Sequence, residues 1–219
     1  MAELSGPRRA AKSGNGRYLM VFLHGYGADG NDLIGLADPL AEHLPDVVFH
    51  APNAPQRCTG NPMGYQWFPI PWLDGSSEAE ASEGMASAFA LLNEWLDETM
   101  AAEGIEAADT ILVGFSQGTM MALHVAPRRD DEVAGVIGFS GRLMAPEALE
   151  VEAISRMPIL LIHGDSDEVV PPQSMPEAAD ALTKVGYEVY THISKGTGHG
   201  IAQDGLQLAL QFTLQQFDL

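Results

Sequence analysis

Gly114-Phe115-Ser116-Gln117-Gly118 has the form G-x-S-x-G, in which a serine lies on a tight turn between a strand and a helix. The run Thr110 to Val113 before it is short, apolar and rich in β-branched residues, which is typical of a buried strand. The apolar run Thr119 to Val125 after it is typical of a buried helix. Because the turn is strained and crowded, Gly114 and Gly118 remove side chains that would collide there. The stretch therefore predicts a strand, a turn that presents Ser116, and a helix.

Strand-length apolar runs alternate with helical patterns along the rest of the chain. The first run, residues 18–23, is continuously apolar, which favours a strand covered on both faces, as in a parallel sheet. We expect an α/β fold with a doubly wound, mostly parallel sheet in one compact domain, residues 17–219, without a large separate cap. The polar start, residues 1–16, is expected to be a flexible leader, since no apolar stretch of a signal peptide follows its basic residues. The predicted strands cover 18–23, 47–49, 110–113, 133–139, 158–163 and 187–193; the predicted helices cover 33–44, 77–103, 119–125, 178–185 and 206–217.

Composition restricts the partners of this chain. Its 219 residues are 46% hydrophobic, and 30 acidic against 11 basic side chains give a net charge of -19. Such a surface repels nucleic acid and anionic membranes. We therefore expect no nucleic-acid partner and no stable membrane association. Cys58 is the only cysteine, which excludes an intramolecular disulfide and indicates a reducing, cytoplasmic location.

Residues 51–76 differ from the rest because prolines and glycines alternate with large apolar side chains. Proline excludes a central strand or a regular helix there, so the segment is predicted to be a long loop. Loops of that length inside a compact domain are often functional. Some of its side chains are expected to line a pocket, and others to anchor the loop to the core.

Three reactive side chains follow the ends of predicted strands: Ser116, Asp167 and His199. In doubly wound sheets, sites form at the carboxyl ends of the strands. A serine hydroxyl needs a base within hydrogen-bond reach and a third group that orients the base. His199 lies between two glycines in a loop and is the candidate base; Asp167 is the candidate orienting acid. Asp165 is an alternative acid, although it fits better as a residue that supports its own turn.

The other candidates for chemistry are weaker. His124, His163 and His192 lie on or beside predicted strands and helices, where a structural role is expected. No histidine spacing matches a metal motif, so no metal is predicted. An oxyanion would instead be stabilised by backbone N–H groups, with Gln117 at the helix start as one donor and Tyr26, after the first apolar strand, as the second.

Four motifs together resemble the phospholipase/carboxylesterase family of small α/β-hydrolases, which includes bacterial carboxylesterases and acyl-protein thioesterases. They are Leu23 to Gly30, Gly114 to Gly118, His163 to Pro171, and Gly198 to Ile201. The resemblance implies the α/β-hydrolase fold, the triad Ser116, Asp167 and His199, an oxyanion hole at Tyr26 and Gln117, and hydrolysis without a cofactor by a monomer or a homodimer. Trp67-Phe68 resembles an aromatic pair near the acyl pocket. The expected pocket comprises Met63, Trp67, Phe68, Leu143 and Val169.

The expected function is that of a serine carboxylesterase acting on small-molecule esters with short to medium acyl chains. A lysophospholipase or acyl-thioesterase that takes longer chains uses the same chemistry and is the first alternative. A binding protein with this fold and no catalysis is the second. Thr119 departs from the family, whose members often have glycine at that position, so the packing behind the serine is expected to differ.

Overall fold

The computed structural model describes residues 4–219 and contains nine strands. The strands are β1 Arg8–Arg9, β2 Tyr18–Leu23, β3 Val47–His50, β4 Gln56–Arg57, β5 Tyr65–Gln66, β6 Thr110–Phe115, β7 Gly135–Phe139, β8 Ile159–Gly164 and β9 Val189–Ser194. Seven of them form one sheet in the order β1-β3-β2-β6-β7-β8-β9, and in this sheet only β1 runs antiparallel to its neighbour. β4 and β5 pair with each other as a small antiparallel ribbon. The predicted mostly parallel sheet is confirmed.

Helices cover both faces of the sheet, as a doubly wound fold requires. They are α1 Gly30–Ile34, α2 Ala37–Ala41, α3 Pro71–Asp74, α4 Glu78–Glu103, α5 Gln117–Val125, α6 Leu149–Glu152, α7 Ser174–Lys184 and α8 Gln203–Gln216. Apolar side chains of α1, α2 and α8 pack on one face of the sheet. Those of α4, α5 and α7 pack on the other, so the sheet separates two hydrophobic cores. No helix within residues 4–219 is both long enough and apolar enough to cross a membrane.

The helix predicted over residues 33–44 is instead two short helices, α1 and α2. Pro39 explains the break, because it has no N–H to donate to the carbonyl of Gly35 and its ring would collide with that carbonyl. Pro39 is tolerated in the first turn of a helix, which is where α2 places it. The spacing of apolar residues therefore predicted helical structure correctly, but the predicted range contains two helices.

The segment expected to be a flexible leader is attached to the domain from residue 4 onward; residues 1–3 lie outside the described residues. Leu4 is buried, and β1 pairs with β3 in the register Arg8 to His50. The Arg8 guanidinium also donates two hydrogen bonds, of 2.6 and 2.7 Å, to the carboxylate of Glu103 at the end of α4. A two-residue strand of arginines has no apolar pattern, so this attachment could not be predicted from local periodicity.

Glu103 links this segment to the domain, and its substitution gives a test. Hydrogen bonds from Arg8, and then from His50 at 2.8 Å, lower the pKa of Glu103 to about 2. Because the folded-state pKa lies below that of the unfolded chain, the ion pair stabilises the fold fully above about pH 4.5, and this contribution falls as the pH drops from about 4.5 toward 2.

We expect Glu103→Gln to lower the free energy of unfolding at pH 7 by about 1–2 kcal/mol, a range that allows for solvent screening at the half-exposed Arg8. The loss should be smaller at pH 3. Urea unfolding at both pH values measures it, with Glu98→Gln, an exposed position on the same helix, as the control. Equal losses in the two variants would contradict this account of Glu103.

Candidate active site

Ser116 lies at the sharp turn between β6 and α5, as the sequence predicts. Its φ of 54° is a positive value that residues with side chains rarely adopt. A Cβ at Gly114 would lie 2.4 Å from backbone atoms of Thr119, and one at Gly118 would lie 1.8 Å from the carbonyl oxygen of Leu23. Both glycines are therefore required by close backbone contact, and the turn presents Ser116 beyond the end of the central strand.

Asp167 and His199 meet beyond the end of β8. The Nδ1 atom of His199 lies 2.8 Å from Oδ2 of Asp167, whose side chain is fully buried. The other oxygen, Oδ1, accepts hydrogen bonds of 2.9 Å from the amides of Val169 and Val170. Burial raises the pKa of Asp167, but these hydrogen bonds outweigh it, so the pKa lies below its ordinary value.

An ionised Asp167 fixes the tautomer of His199. Because a carboxylate can only accept, Nδ1 of His199 must carry the proton, which leaves Nε2 as a potential proton acceptor. The ring lies beside the serine turn, with its centroid 4.9 Å from that of Phe115. His199 and Ser116 line the same cavity, but no hydrogen bond joins their side chains in the described structure. Such bonds are often long or misaligned until a substrate is bound.

Asp165, the alternative acid, does not contact His199. Its Oδ1 accepts hydrogen bonds from the amide of Gly196 at 2.7 Å and from the hydroxyl of Ser166 at 3.0 Å. These contacts hold the loop that carries His199. The structure thus places Asp167, and not Asp165, against the candidate base.

The cavity in front of Ser116 has a volume of about 370 Å³. Phe68 and Val169 line it, as expected, but the other three predicted pocket residues do not. Met63 is 81% exposed on the β4–β5 connection, and Trp67 is fully buried behind the site. Leu143 lines a separate cleft beside the cavity. The sequence missed other lining residues, because nothing in a proline-rich loop indicates which side chains face inward: Ile70, Trp72 and Leu73 from that loop, Met85 from α4, Met120 from α5, and Met144.

Two backbone amides are available at the places expected for an oxyanion hole. Gln117 is the first residue of α5, so its N–H has no acceptor within the helix. The N–H of Tyr26 donates to no backbone acceptor in residues 4–219, whereas the next amide, that of Gly27, donates to the carbonyl of Tyr65 at 2.8 Å. Tyr26, Gln117 and Ser116 all line the cavity.

The sequence profile of the phospholipase/carboxylesterase family matches residues 7–216. The chain belongs to this family. It is 46% identical to esterase PE8, whose crystal structure it matches with a TM-score of 0.92 over 97% of this chain and 99% of that one. Esterase YpfH of Escherichia coli K12 is 28% identical over 193 residues, 88% of this chain and 80% of YpfH. Acyl-protein thioesterase 1 of Saccharomyces cerevisiae is 30% identical over 178 residues, 77% of this chain and 78% of that protein.

Membership of the phospholipase/carboxylesterase family confirms the α/β-hydrolase fold and makes the protein a carboxylic ester hydrolase. Thr119, which stands where family members often have glycine, is accommodated by two other glycines. A Cβ at Gly138 would lie 2.6 Å from Thr119, and one at Gly141 would lie 2.4 Å from it. The Thr119 hydroxyl donates a 2.8 Å hydrogen bond to the carbonyl of Phe139. The extra side chain therefore ties α5 to the end of β7 behind the serine.

His24 follows β2 but is a structural residue. It is fully buried, and burial lowers its pKa. The amide of Ala54 donates to its Nε2 at 2.9 Å, so its proton lies on Nδ1, which faces the carbonyl of Gly25 at 2.7 Å. A neutral His24 thus fixes the turn that carries Tyr26.

His124 and His192 also have structural partners. His124 stacks on Phe89 with the centroids 3.6 Å apart, and burial lowers its pKa to about 4. His192 lies 2.8 Å from Asp204 at the start of α8. No group of three or more histidine, cysteine or acidic residues within residues 4–219 is placed to hold a metal ion.

His163 has a role that the sequence did not indicate. This buried residue of β8 places Nε2 2.9 Å from the carbonyl of Val170 and 3.3 Å from Oδ2 of Asp167. The carboxylate therefore lies between two imidazoles, one exposed to the cavity and one buried in the sheet. Its position is fixed from both sides.

The side chain of Gln117 is buried and joins the serine turn to the aromatic loop. Its Oε1 accepts a 2.8 Å hydrogen bond from the amide of Trp67, and its Nε2 donates a 2.8 Å bond to the carbonyl of Phe68. The Trp67 indole in turn donates to the carbonyl of His24 at 3.0 Å. Gln117 therefore fixes the position of Phe68, which lines the cavity, relative to the serine turn.

We expect Gln117→Ala to destabilise the protein by about 1–3 kcal/mol, because it leaves two buried backbone groups without partners. Hydrolysis should weaken as well, since the wall at Phe68 loosens, although the backbone donor of residue 117 is retained. Gln117→Glu is the matched variant: it keeps the acceptor for Trp67 but places a carboxylate oxygen against the carbonyl of Phe68, so it should also destabilise the protein. Urea unfolding and kcat/KM measure both effects. Wild-type stability in Gln117→Ala would show that these bonds do not hold the loop.

Proposed function

We propose that this protein is a serine carboxylesterase that hydrolyses esters with short to medium acyl chains. The observation that carries the proposal is the 2.8 Å contact between His199 Nδ1 and Asp167, at a cavity that also contains the strained Ser116. The nucleophile Ser116, the orienting acid Asp167 and the base His199 follow one another in the chain order that is typical of α/β-hydrolases.

In the proposed reaction, the Ser116 hydroxyl attacks the ester carbonyl carbon and gives its proton to Nε2 of His199. The amides of Tyr26 and Gln117 stabilise the negative oxygen of the tetrahedral intermediate; one such donor is worth about 2.7–4 kcal/mol. Collapse releases the alcohol, which takes the proton from His199. Water then attacks the acyl carbon and gives a proton to Nε2 of His199. Collapse expels the Ser116 oxygen, which takes this proton from His199, and releases the carboxylic acid. Asp167 stays ionised throughout.

The proposed chain-length range rests on the size and walls of the cavity. A volume of about 370 Å³ suits a small ligand, and Phe68, Met85 and Met120 provide apolar walls. One observation favours the alternative of a longer-chain lysophospholipase or thioesterase. Trp72 and Leu73 at the cavity mouth are 75% and 52% exposed, which gives a longer chain apolar surface to follow.

Hydrolysis of a series of p-nitrophenyl esters, from acetyl to palmitoyl, tests the chain-length proposal. We expect kcat/KM to be highest for short and medium chains and to fall for long ones. A maximum at the long end would move the function to lipid or protein deacylation. Tight binding of esters without turnover at any length would instead indicate the binding protein without catalysis.

The reaction as proposed needs no cofactor, because side chains and backbone amides supply the nucleophile, the base and the oxyanion donors. A cytoplasmic location stays a prediction based on Cys58 as the single cysteine. A monomer or a homodimer also stays a prediction, and light scattering of the purified protein tests which of the two forms.

A further inference from the structure

The cavity in front of Ser116 has an uneven distribution of charge. Among the described residues that line it, Arg142 is the only lysine or arginine and Glu78 the only aspartate or glutamate. Arg142 follows β7, whereas Glu78 lies in the first turn of α4. Most of the remaining wall is apolar. Arg142 is exposed to solvent, so a substrate in this cavity meets one positive charge at the edge of a largely hydrophobic surface.

The charge of Arg142 is not neutralised by the protein. Its guanidinium makes no salt bridge and no hydrogen bond with any residue in the described range, although the chain has 30 acidic side chains against 11 basic ones. By contrast, Arg8, Arg128 and Arg129 each contact a carboxylate within 2.6 Å. In a protein this acidic, an unpaired arginine beside the nucleophile is available for a group of the substrate.

The backbone that leads to Arg142 is fixed relative to Ser116. Ser140 has a φ of 46° and donates its amide to the carbonyl of Ile162 at 2.9 Å. A Cβ at Gly141 would lie 3.0 Å from the carbonyl oxygen of Ser116, so the chain passes directly against the serine turn. Arg142 therefore starts from a defined position next to the reacting centre. It also lines an adjoining cleft of about 330 Å³, with Leu143 and Met144.

We propose that Arg142 binds a single carboxylate at the far end of the substrate, and that preferred substrates are half-esters of dicarboxylic acids. This rests on the esterase function proposed above. A guanidinium matches a carboxylate in a bidentate pair, and the apolar walls suit the methylene chain between the two ends of the substrate. The net charge of -19 disfavours more highly charged groups such as a phosphate monoester, so one carboxylate fits best.

The test compares kcat/KM for monomethyl adipate with that for methyl hexanoate, both followed by pH-stat titration. Arg142→Met removes the charge and keeps much of the side-chain length. It should lower the ratio of the two values by about 2- to 5-fold, the range expected for loss of a solvent-exposed ion pair. Arg142→Lys should lose less. Glu78→Gln removes the negative charge from the same cavity and should shift the ratio the opposite way.

Lys184→Met is the matched control, since Lys184 is an exposed cation at the end of α7 that does not line the cavity. It should leave the ratio unchanged. An unchanged ratio in Arg142→Met, or an equal shift in Lys184→Met, would overturn the assignment of Arg142 while leaving the esterase function intact. Failure of the wild-type protein to hydrolyse either ester would overturn the proposed function itself.

Discussion

Replacement of Ser116 with alanine is expected to lower kcat for p-nitrophenyl butyrate by at least about 10⁴-fold, because no acyl-enzyme can then form. The fold should persist. Alanine can occupy the same positive φ at a similar cost, and the described Ser116 hydroxyl makes no hydrogen bond that the fold would lose. The residual rate would come from the oxyanion donors and substrate binding alone.

Ser140→Ala is the matched control for this prediction. Ser140 is also buried, also has a positive φ, and directly follows β7, the strand next to the one that leads to Ser116. Its hydroxyl makes no hydrogen bond, and it does not line the cavity. We expect Ser140→Ala to remain within a few-fold of wild type. If Ser116→Ala kept wild-type activity with an unchanged thermal unfolding curve, the nucleophile would lie elsewhere.

Asp167→Asn is expected to lower kcat by about 10⁴-fold with little change in the fold. The amides of Val169 and Val170 both donate to Oδ1, so they favour the amide oxygen of the asparagine on that side. Its NH₂ group then faces His199, where it donates to Nδ1 and moves the imidazole proton to Nε2. In that tautomer His199 cannot accept the proton of Ser116.

Asp165→Asn separates this effect from a general loss of negative charge. The variant keeps an oxygen that can accept from the amide of Gly196, so the loop that carries His199 should stay in place. We expect its kcat to stay within about tenfold of wild type. Full activity in Asp167→Asn combined with inactive Asp165→Asn would reverse the assignment of the triad acid.

The fold and the contact of Asp167 with His199 near Ser116 were predictable because they depend on patterns that the sequence expresses directly. Continuous apolar runs predict parallel strands, and the carboxyl ends of such strands meet at one edge of the sheet. Ser116 and Asp167 each follow such a run, and His199 follows the partly exposed strand β9, so parallel topology brings all three to the same edge of the sheet. The glycines around Ser116 add a second, independent signal, since a Cβ at either Gly114 or Gly118 would lie 2.4 Å or less from backbone atoms.

The walls of the site were not predictable in the same way. Trp67 and Met63 both lie in the segment 51–76 that was predicted to be one loop. Trp67 is fully buried and Met63 is 81% exposed, and no periodicity of the sequence distinguishes them. Trp67 is held in its buried position by hydrogen bonds with Gln117 and His24, residues about 40 to 50 positions away in the chain. Contacts between a side chain and a distant backbone group leave no local pattern. The contact of His163 with Asp167 escaped detection because a buried strand histidine has the same pattern with or without it.

The most direct test of the catalytic proposal is to trap the acyl-enzyme. The protein is mixed with p-nitrophenyl acetate, quenched in acid before turnover is complete, digested, and analysed by peptide mass spectrometry beside Ser116→Ala and Ser140→Ala. We predict one acetyl group on Ser116 in the wild-type protein and in Ser140→Ala, and none in Ser116→Ala. Acetylation of a different residue, or rapid hydrolysis by Ser116→Ala, would contradict the proposed mechanism.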